Sequence, residues 1–384
     1  MPGNAATTNT SKASIFSARQ ARLRQALEKA ELRALVLNPG PSLIYLTGLH
    51  FHLMERPIVF ILPVAGDPLL VLPELEQAKV EQLAFRAQPI FYNEEPSTWP
   101  AQFQQAAITA ELSGARVGVE PGRLRFLELR LLEAAAPQAC FLSAEDSLSE
   151  LRMYKDEGEL ACMRKAVQIA QNALTSTLPV IRSGITEREL AAELTLQLFR
   201  NGSDSEVPFT PIVSTGPNSA NPHATPTDRR LAKGDLLVID WGASYQGYIS
   251  DITRTYAIDE VEAELQKIAA LVEASNSAGR AAARPGITAS AVDLAARAVI
   301  ASAGYGEFFI HRTGHGIGME GHEPPYIRQG NSMLLAPGMT FTVEPGIYLP
   351  GRGGVRIEDD VVITVDGVES LTDLPRRLQT IHLS

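Results

Sequence analysis

Between residues 17 and 32 the chain reads SARQARLRQALEKAEL, with apolar positions returning every three or four residues. This spacing predicts a surface helix running to about Leu32. ALVLN (34–38) is too short for a helix and reads as a buried strand. PGPSLIYLTG (39–48) places a strand-like core between turn signals. VFILPV and PLLVLP form an expected strand pair split by Ala65-Gly66-Asp67. ELEQAKVEQLAF (74–85) has helical spacing, RVGVEP (116–121) is a strand, and residues 123–136 carry a second clear helical pattern. Helix and strand therefore alternate over 15–150, which predicts an α/β domain. Residues 1–14 are polar and expected to be a flexible tail.

The pattern changes after residue 150. A strand-like FLSAEDSL precedes a long helical signal that starts at Leu151. ITERELAAELTLQLFRNG follows, with Thr186 and Glu189 spaced as a capping box and Gly202 as a stop. A helix pair is expected over 260–304, its second member beginning near Thr288. Strand signals lie between and after these helices: FTPIVS, DLLVIDWGASY, GYISDITRTYAI, MTFTVEPGIY and GVRIEDDVVITVDG. Helices and hairpins in this order predict an α+β domain over 151–384, with helices backing antiparallel sheet.

Composition narrows the function classes. Of 384 residues, 45% are hydrophobic and 20% charged, as in an ordinary globular protein. No apolar run reaches the roughly 18 residues that cross a bilayer. A net charge of −10 argues against nucleic acid or anionic membrane as a partner. The two cysteines, Cys140 and Cys162, make no CxxC and no disulfide framework, so a reducing, cytoplasmic location is expected. The N-terminus lacks the apolar segment of a secretory signal.

Two hairpins carry the chemistry. In DLLVIDWGASYQGYISDITRTY, symmetry about a turn near Ser244–Gly247 sets Asp240 opposite Asp251. Facing carboxylates repel, and Asp240 ends the apolar run LLVI, where an uncompensated charge is costly. In TFTVEPGIYLPGRGGVRIEDDVVIT, symmetry about Gly351 sets Glu344 opposite Glu358. One such pair is compatible with a solvated face; two independent pairs point to cations between them. Four hard oxygen donors suit two divalent metals, and an imidazole would move the preference from calcium or magnesium toward manganese, cobalt, zinc or iron.

The imidazole source lies between the hairpins. HRTGHGIGMEGH (311–322) holds three of the chain's seven histidines. Gly316-Ile-Gly318-Met-Glu-Gly321 fits G-x-G-x-x-G, but HEPPY follows where a dinucleotide fold would open a helix, so that reading is rejected. The glycines are read instead as permitting close backbone approach at a crowded site.

Together, Asp240, Asp251, His315, Glu344 and Glu358 resemble the five-ligand dinuclear site of the pita-bread metallopeptidases: methionine aminopeptidase, aminopeptidase P and prolidase. IDWGASYQGYISDITRTY, HRTGHGIGMEGHEPP, FTVEPGIY and VRIEDD are the motifs of the catalytic half. LRMYKDEGELACMRKA resembles that half's start, and SLIYLTG resembles the N-terminal domain of the proline-specific and creatinase branch. The resemblance implies a pita-bread catalytic domain behind a smaller creatinase-like α/β domain. It implies that Asp240 chelates one metal, that Asp251 and Glu358 bridge both, and that His315 and Glu344 bind the second. A water or hydroxide between the metals would be the nucleophile, with Glu344 also shuttling its proton. It further implies that His322 stabilises the gem-diolate and contacts the substrate amide. His223 would steady the intermediate and leaving group, and His311 would stand around the site or on its substrate side. Arg356 would pair with the acids, and Tyr348 would be a site tyrosine. Asp359 and Asp360 are expected to face away or cap, His382 to lie on the surface, and His50 and His52 to line the cleft.

The N-terminal domain argues against methionine aminopeptidase, and the intact ligand set against a metal-free amidinohydrolase. The fourteen-residue interval from Glu344 to Glu358 resembles compact prolidases. The expected activity is that of an Xaa-Pro dipeptidase, with manganese first and cobalt or zinc as alternatives, acting on small peptides with proline second. Xaa-Pro aminopeptidase is the alternative, and an inactive binding protein on the same fold a third reading. Arg56 is a candidate partner for the substrate carboxylate. A homodimer is expected by resemblance.

Overall fold

The computed structural model describes residues 5–383, with helix beginning at Ala5; residues 1–4 of the expected tail lie outside the described residues. The chain divides into compact units over 1–152 and 153–384.

The first unit holds α1 (Ala5–Lys29), β1 (Ala34–Leu37), α2 (Pro41–Thr47), β2 (Val59–Pro63), β3 (Leu69–Pro73), α3 (Gln77–Val80), β4 (Gln88–Tyr92), α4 (Trp99–Thr109), β5 (Arg116–Val119), α5 (Phe126–Ala135) and β6 (Cys140–Ser143). Its strands form one mixed sheet in the order β4-β3-β2-β1-β5-β6. Val36, Ile61 and Val71 pack with Phe103 and Leu132 from the helices. Two expectations fail here. SLIYLT is helix α2, not strand: Pro41 sits in its first turn and Gly48, at φ 73°, closes its end by donating its N–H to the Ile44 carbonyl. The helix expected over 74–85 shrinks to a 3₁₀ turn (Glu74–Glu76) and the single turn of α3. Neither buries a residue, so no tertiary packing extends them.

Helix α6 (Glu145–Met153) lies at the end of the first unit. The continuous helix expected from Leu151 breaks there. Asp156 restarts it by accepting from the Glu159 N–H at 2.9 Å, while the Glu159 carboxylate accepts from the Asp156 N–H. From this point run α7 (Glu157–Thr177), α8 (Glu187–Arg200), β7 (Ile212–Thr215), β8 (Leu236–Trp241), β9 (Ser244–Tyr245), β10 (Tyr248–Ile249), β11 (Ile252–Ile258), α9 (Ala263–Ala282), α10 (Ala289–Ser302), β12 (Gly314–Gly316), β13 (Glu323–Ile327), β14 (Thr340–Val343), β15 (Gly346–Leu349), β16 (Gly353–Arg356), β17 (Asp359–Ile363), β18 (Val368–Ser370) and β19 (Gln379–Ile381). The capping box at Thr186 and Glu189 opens α8 as the sequence predicts.

Two sheets organise this unit, in the orders β19-β11-β8-β7 and β13-β12-β14-β17-β18. Leu174 of α7 and Leu194 of α8 pack on Val213, Ile239 and Trp241. Ile268 and Val272 of α9 cover Ile347, Val355 and Ile357, and Val292 of α10 meets Phe341 and Val343. Each fully buried aliphatic side chain contributes about 1.5–3 kcal/mol relative to exposure. The α+β architecture is the one expected.

Register decides where the acids fall. In the first hairpin Asp240 lies opposite Thr253, not Asp251. The turn is Gln246-Gly247, both at positive φ, and closes on the pair Tyr245–Tyr248, one residue later than expected. Moving the turn by one residue moves the pairing by two, so Asp240 and Asp251 become diagonal neighbours that keep the same face. In the second hairpin the expected register holds on both sides of the acids: Val343 pairs with Asp359 and Gly346 with Arg356. Between these ladders the strands part. The Glu344 N–H donates to the Thr313 carbonyl at 2.7 Å, and the Glu358 N–H to the Thr253 carbonyl at 3.1 Å. Each acid is thus anchored to a different segment, Glu344 to the residue before β12 and Glu358 to β11.

Candidate metal centre

Asp240, Asp251, His315, Glu344 and Glu358 all line one cavity of about 550 Å³, with His223, His311, Arg312, His322 and Arg356 on the same wall. Asp251, His315 and Glu358 each present one ligand atom, and these atoms lie within 4.8 Å of one another. His315 Nε2 stands 3.3 Å from Glu344 Oε1 and 3.8 Å from Asp251 Oδ2. Its Nδ1 lies 3.2 Å from the Gly316 carbonyl, an acceptor. The ring proton therefore sits on Nδ1, and the Nε2 lone pair faces two carboxylates.

That arrangement needs a positive charge. Asp240 gives one oxygen to Arg356 Nη2 at 2.6 Å, while its other, Oδ1, is buried without a hydrogen-bond partner. Burial, then Glu358 and Asp240, push the Asp251 carboxyl well above its usual range. Burial, then Glu344 and Asp240, do the same to Glu358. Burial also raises Glu344 to about 7, although Arg356 opposes it. Burial disfavours the charge on Arg356, but Tyr348, Asp240 and the two glutamates outweigh it and raise its pKa. Burial, followed by His322, keeps His315 well below its usual pKa, so it adds no compensating charge. Arg356 and, farther along the wall, Arg312 are the guanidinium groups of this cavity, so ionising all four carboxyls would leave a surplus of negative charge in a poorly hydrated space. The donors are hard oxygens and one imidazole lone pair, which fits divalent cations of the manganese-to-zinc series.

Neighbouring groups hold the donors. Thr253 Oγ1 donates to Glu358 Oε2 at 2.6 Å and accepts from Arg356 Nε at 3.1 Å. Asp360 does not reach the cavity wall; its Oδ2 accepts the Asp251 N–H at 3.0 Å. Asp359 is buried against Arg254 and Arg376. Burial would raise its carboxyl, but these arginines draw it down to about 2. Arg356 Nη1 donates to the Tyr348 hydroxyl at 3.0 Å, and that hydroxyl lies 2.9 Å from His311 Nε2. His311 Nδ1 faces the Arg312 carbonyl at 2.7 Å. Burial, then Arg356, lower His311 to about 4, so this chain runs Arg356 to Tyr348 to a neutral His311. Tyr348 is 3% exposed, and its hydroxyl holds the Arg356 guanidinium.

His223 and His322 are exposed at the cavity mouth. Pro208, Phe209, Ile212 and Pro222 form an apolar wall, and Arg312 adds a cation. None of these five was assigned a role from the sequence, because lone apolar residues and one arginine carry no spacing signal. Arg56 is already engaged within the first unit, bidentate on Glu94 (Nε–Oε1 3.2 Å, Nη2–Oε2 2.9 Å) and paired with Glu55. His50 and His52 are exposed in that unit, and His382 is exposed beside Asp259.

A model of metallopeptidase family M24 matches residues 161–365, and a model of the creatinase/prolidase N-terminal domain matches residues 19–154. The chain is 38% identical to a Mycobacterium tuberculosis protein described as probable dipeptidase PepE, over 97% of this chain and 98% of that one. It is 33% identical to an Xaa-Pro dipeptidase of Lactobacillus delbrueckii subsp. lactis, over 94% and 98% of the two chains. Among solved structures, a prolidase from Thermococcus sibiricus aligns with a TM-score of 0.90 at 33% identity, covering 95% of this chain and 99% of that one. The match spans the acids of both hairpins and the histidine between them, and the chain belongs to metallopeptidase family M24.

Proposed function

We propose that the chain is an Xaa-Pro dipeptidase, cleaving the peptide bond between an N-terminal residue and proline. The carrying observation is the convergence of Asp240, Asp251, His315, Glu344 and Glu358 on one cavity with surplus negative charge. Relatives named for this activity span both domains, proposed here as 15–150 and 151–384.

The five residues would hold two divalent cations, manganese by preference. Bound there, the cations would supply Lewis acidity, acidifying water and polarising the scissile carbonyl. The remaining work falls to the chain. Glu344 takes the proton of the attacking water on a carboxylate oxygen, then delivers it to the proline nitrogen. A positioned acid–base group of this kind contributes about 10²–10⁴-fold. His322 and His223, on the cavity wall, donate to the oxygen on which charge develops; one such donor is worth about 10²–10³ in kcat. Phe209, Ile212 and Pro208 offer a nonpolar first residue an apolar surface. Arg356 and Thr253 keep the carboxylates oriented.

The test compares Xaa-Pro dipeptides with Xaa-Pro-Xaa tripeptides in the presence of Mn²⁺, Co²⁺ or Zn²⁺. Faster dipeptide cleavage is expected. Tripeptide cleavage at equal or better efficiency would assign the chain as an Xaa-Pro aminopeptidase. Cation binding without cleavage of either would make it a binding protein on this fold. A cytoplasmic location and a homodimer belong to the same proposal. Among the described residues no helix is long and apolar enough to cross a membrane.

A further inference from the structure

Arg312 lines the catalytic cavity without touching any of the five acidic and imidazole donors, and its guanidinium makes two specific contacts. Its Nη2 lies 3.2 Å from His322 Nδ1. Its guanidinium carbon lies 4.7 Å from the centroid of the Tyr326 ring, which orients the planar group and presents its edge to the histidine. A guanidinium has five donors and no acceptor. The nitrogen it faces must therefore offer a lone pair, and the ring proton of His322 must sit on Nε2.

The imidazole is fixed from other sides too. Its centroid lies 4.0 Å from that of His315, with the rings inclined by 52°. The next residue, Glu323, is buried and ion-paired with the buried Lys155 at 2.5 Å, which ties down the backbone that carries His322. Position and tautomer are thus set by different groups: Lys155 and Glu323 hold the chain, and Arg312 sets the proton.

We infer that Arg312 is a positioning residue that selects the Nε2–H tautomer of His322 and so makes this histidine a hydrogen-bond donor toward the reacting carbonyl. This rests on the assignment of His322 as a donor in the proposed reaction. The tautomer itself does not depend on that assignment. With the proton on Nδ1 instead, Nε2 would present a lone pair to a developing oxyanion, which repels it.

The experiment is nitrogen NMR on the full chain labelled with ¹⁵N-histidine and loaded with Zn²⁺, the His322 signals being identified by their loss in His322→Gln. The expected wild-type spectrum shows a single Nε2–H tautomer at His322. Arg312→Met should shift it toward an Nδ1–H mixture, and Arg312→Lys, a donor-only replacement, should keep it. Tyr326→Leu, which frees the guanidinium without removing it, should give a smaller shift. On Xaa-Pro dipeptides Arg312→Met should lower kcat by about 10–100-fold, the usual cost of losing a group that orients a site residue, with KM little changed. An Nδ1–H tautomer in the wild type, or unchanged His322 nitrogens in Arg312→Met, would overturn the inference. So would a raised KM with unchanged nitrogens, which would make Arg312 a substrate contact. If no Xaa-Pro peptide is cleaved, the proposed activity fails, and the nitrogen spectra alone decide the role of Arg312.

Discussion

Stripping divalent cations from the protein should make its stability fall as pH rises from about 5 to 7. Glu344 is fully enclosed among other carboxylates, and that burial raises it from 4.5 to about 7. An unfolded chain would return it to its ordinary value. Between the two values the folded state binds more protons than the unfolded state, so stability is lost as pH rises through the window and levels off above about 7. At 1.36 kcal/mol per pH unit, Glu344 alone accounts for about 3 kcal/mol. Asp251 and Glu358 are raised by the same burial and mutual repulsion, and act in the same direction. Saturating cation reverses the sign, because it binds the ionised carboxylates and competes with protons. The measurement is thermal unfolding of chelator-treated protein against protein in millimolar Mn²⁺, at steps from pH 5 to 8. At about 2–4 °C per kcal/mol for domains of this size, the gap in Tm should widen by roughly 6–12 °C across the window. A cation-free protein whose Tm stays level or climbs between pH 5 and 7 would refute the claim that these acids are buried together without compensation.

Arg356→Met removes the guanidinium bonded to Asp240 and, among the described residues, leaves that buried carboxylate unpaired. Urea unfolding of the cation-free protein should show a loss of about 3–5 kcal/mol, and a loss below about 1 kcal/mol would mean that Asp240 is neutralised otherwise. Thr253→Val deletes one hydroxyl that serves both Glu358 and Arg356. Competition with a metallochromic chelator should report cation affinity weakened by about 10–100-fold, and unchanged affinity would show that Glu358 needs no such support. In Gly314→Ala the new Cβ would lie 1.8 Å from the Thr342 carbonyl oxygen, so β12 must move and take His315 with it. Elemental analysis should find bound metal depleted; full occupancy at unchanged Tm would show that the strand shifts harmlessly.

Much of this architecture is written in local signals. The capping box at Thr186, the N-cap at Thr288 and the pairing of Gly346 with Arg356 depend on residues close in sequence, and the alternation around PGRGG predicts the last of these directly. Local chemistry also explains one miss. Ile44 and Tyr45 suggest a strand, yet Pro41 and Gly48 are the start and stop of a helix, and those signals prevail. The 74–85 segment fails for the opposite reason: its helical period is real, but it has no buried face to pack.

The sequence by itself determined which residues could hold cations: five donors of the right chemistry, on two hairpins and one glycine-rich segment. It also determined that they share faces, because a strand's period of two survives a shift of the turn. Only the tertiary structure decided how they converge. Asp240 and its partner Arg356 are 116 residues apart, and no local pattern reports a contact over that distance. The parting of the second hairpin at Glu344 and Glu358 likewise follows from Thr313, just before β12, and Thr253 of β11 taking the two backbone N–H groups. Arg312 had no signal at all until His322 was seen beside it. The physical reason is the same in each case: period and turn chemistry act over a few residues, whereas burial, charge surplus and the choice of tautomer are properties of groups that only the folded chain brings together.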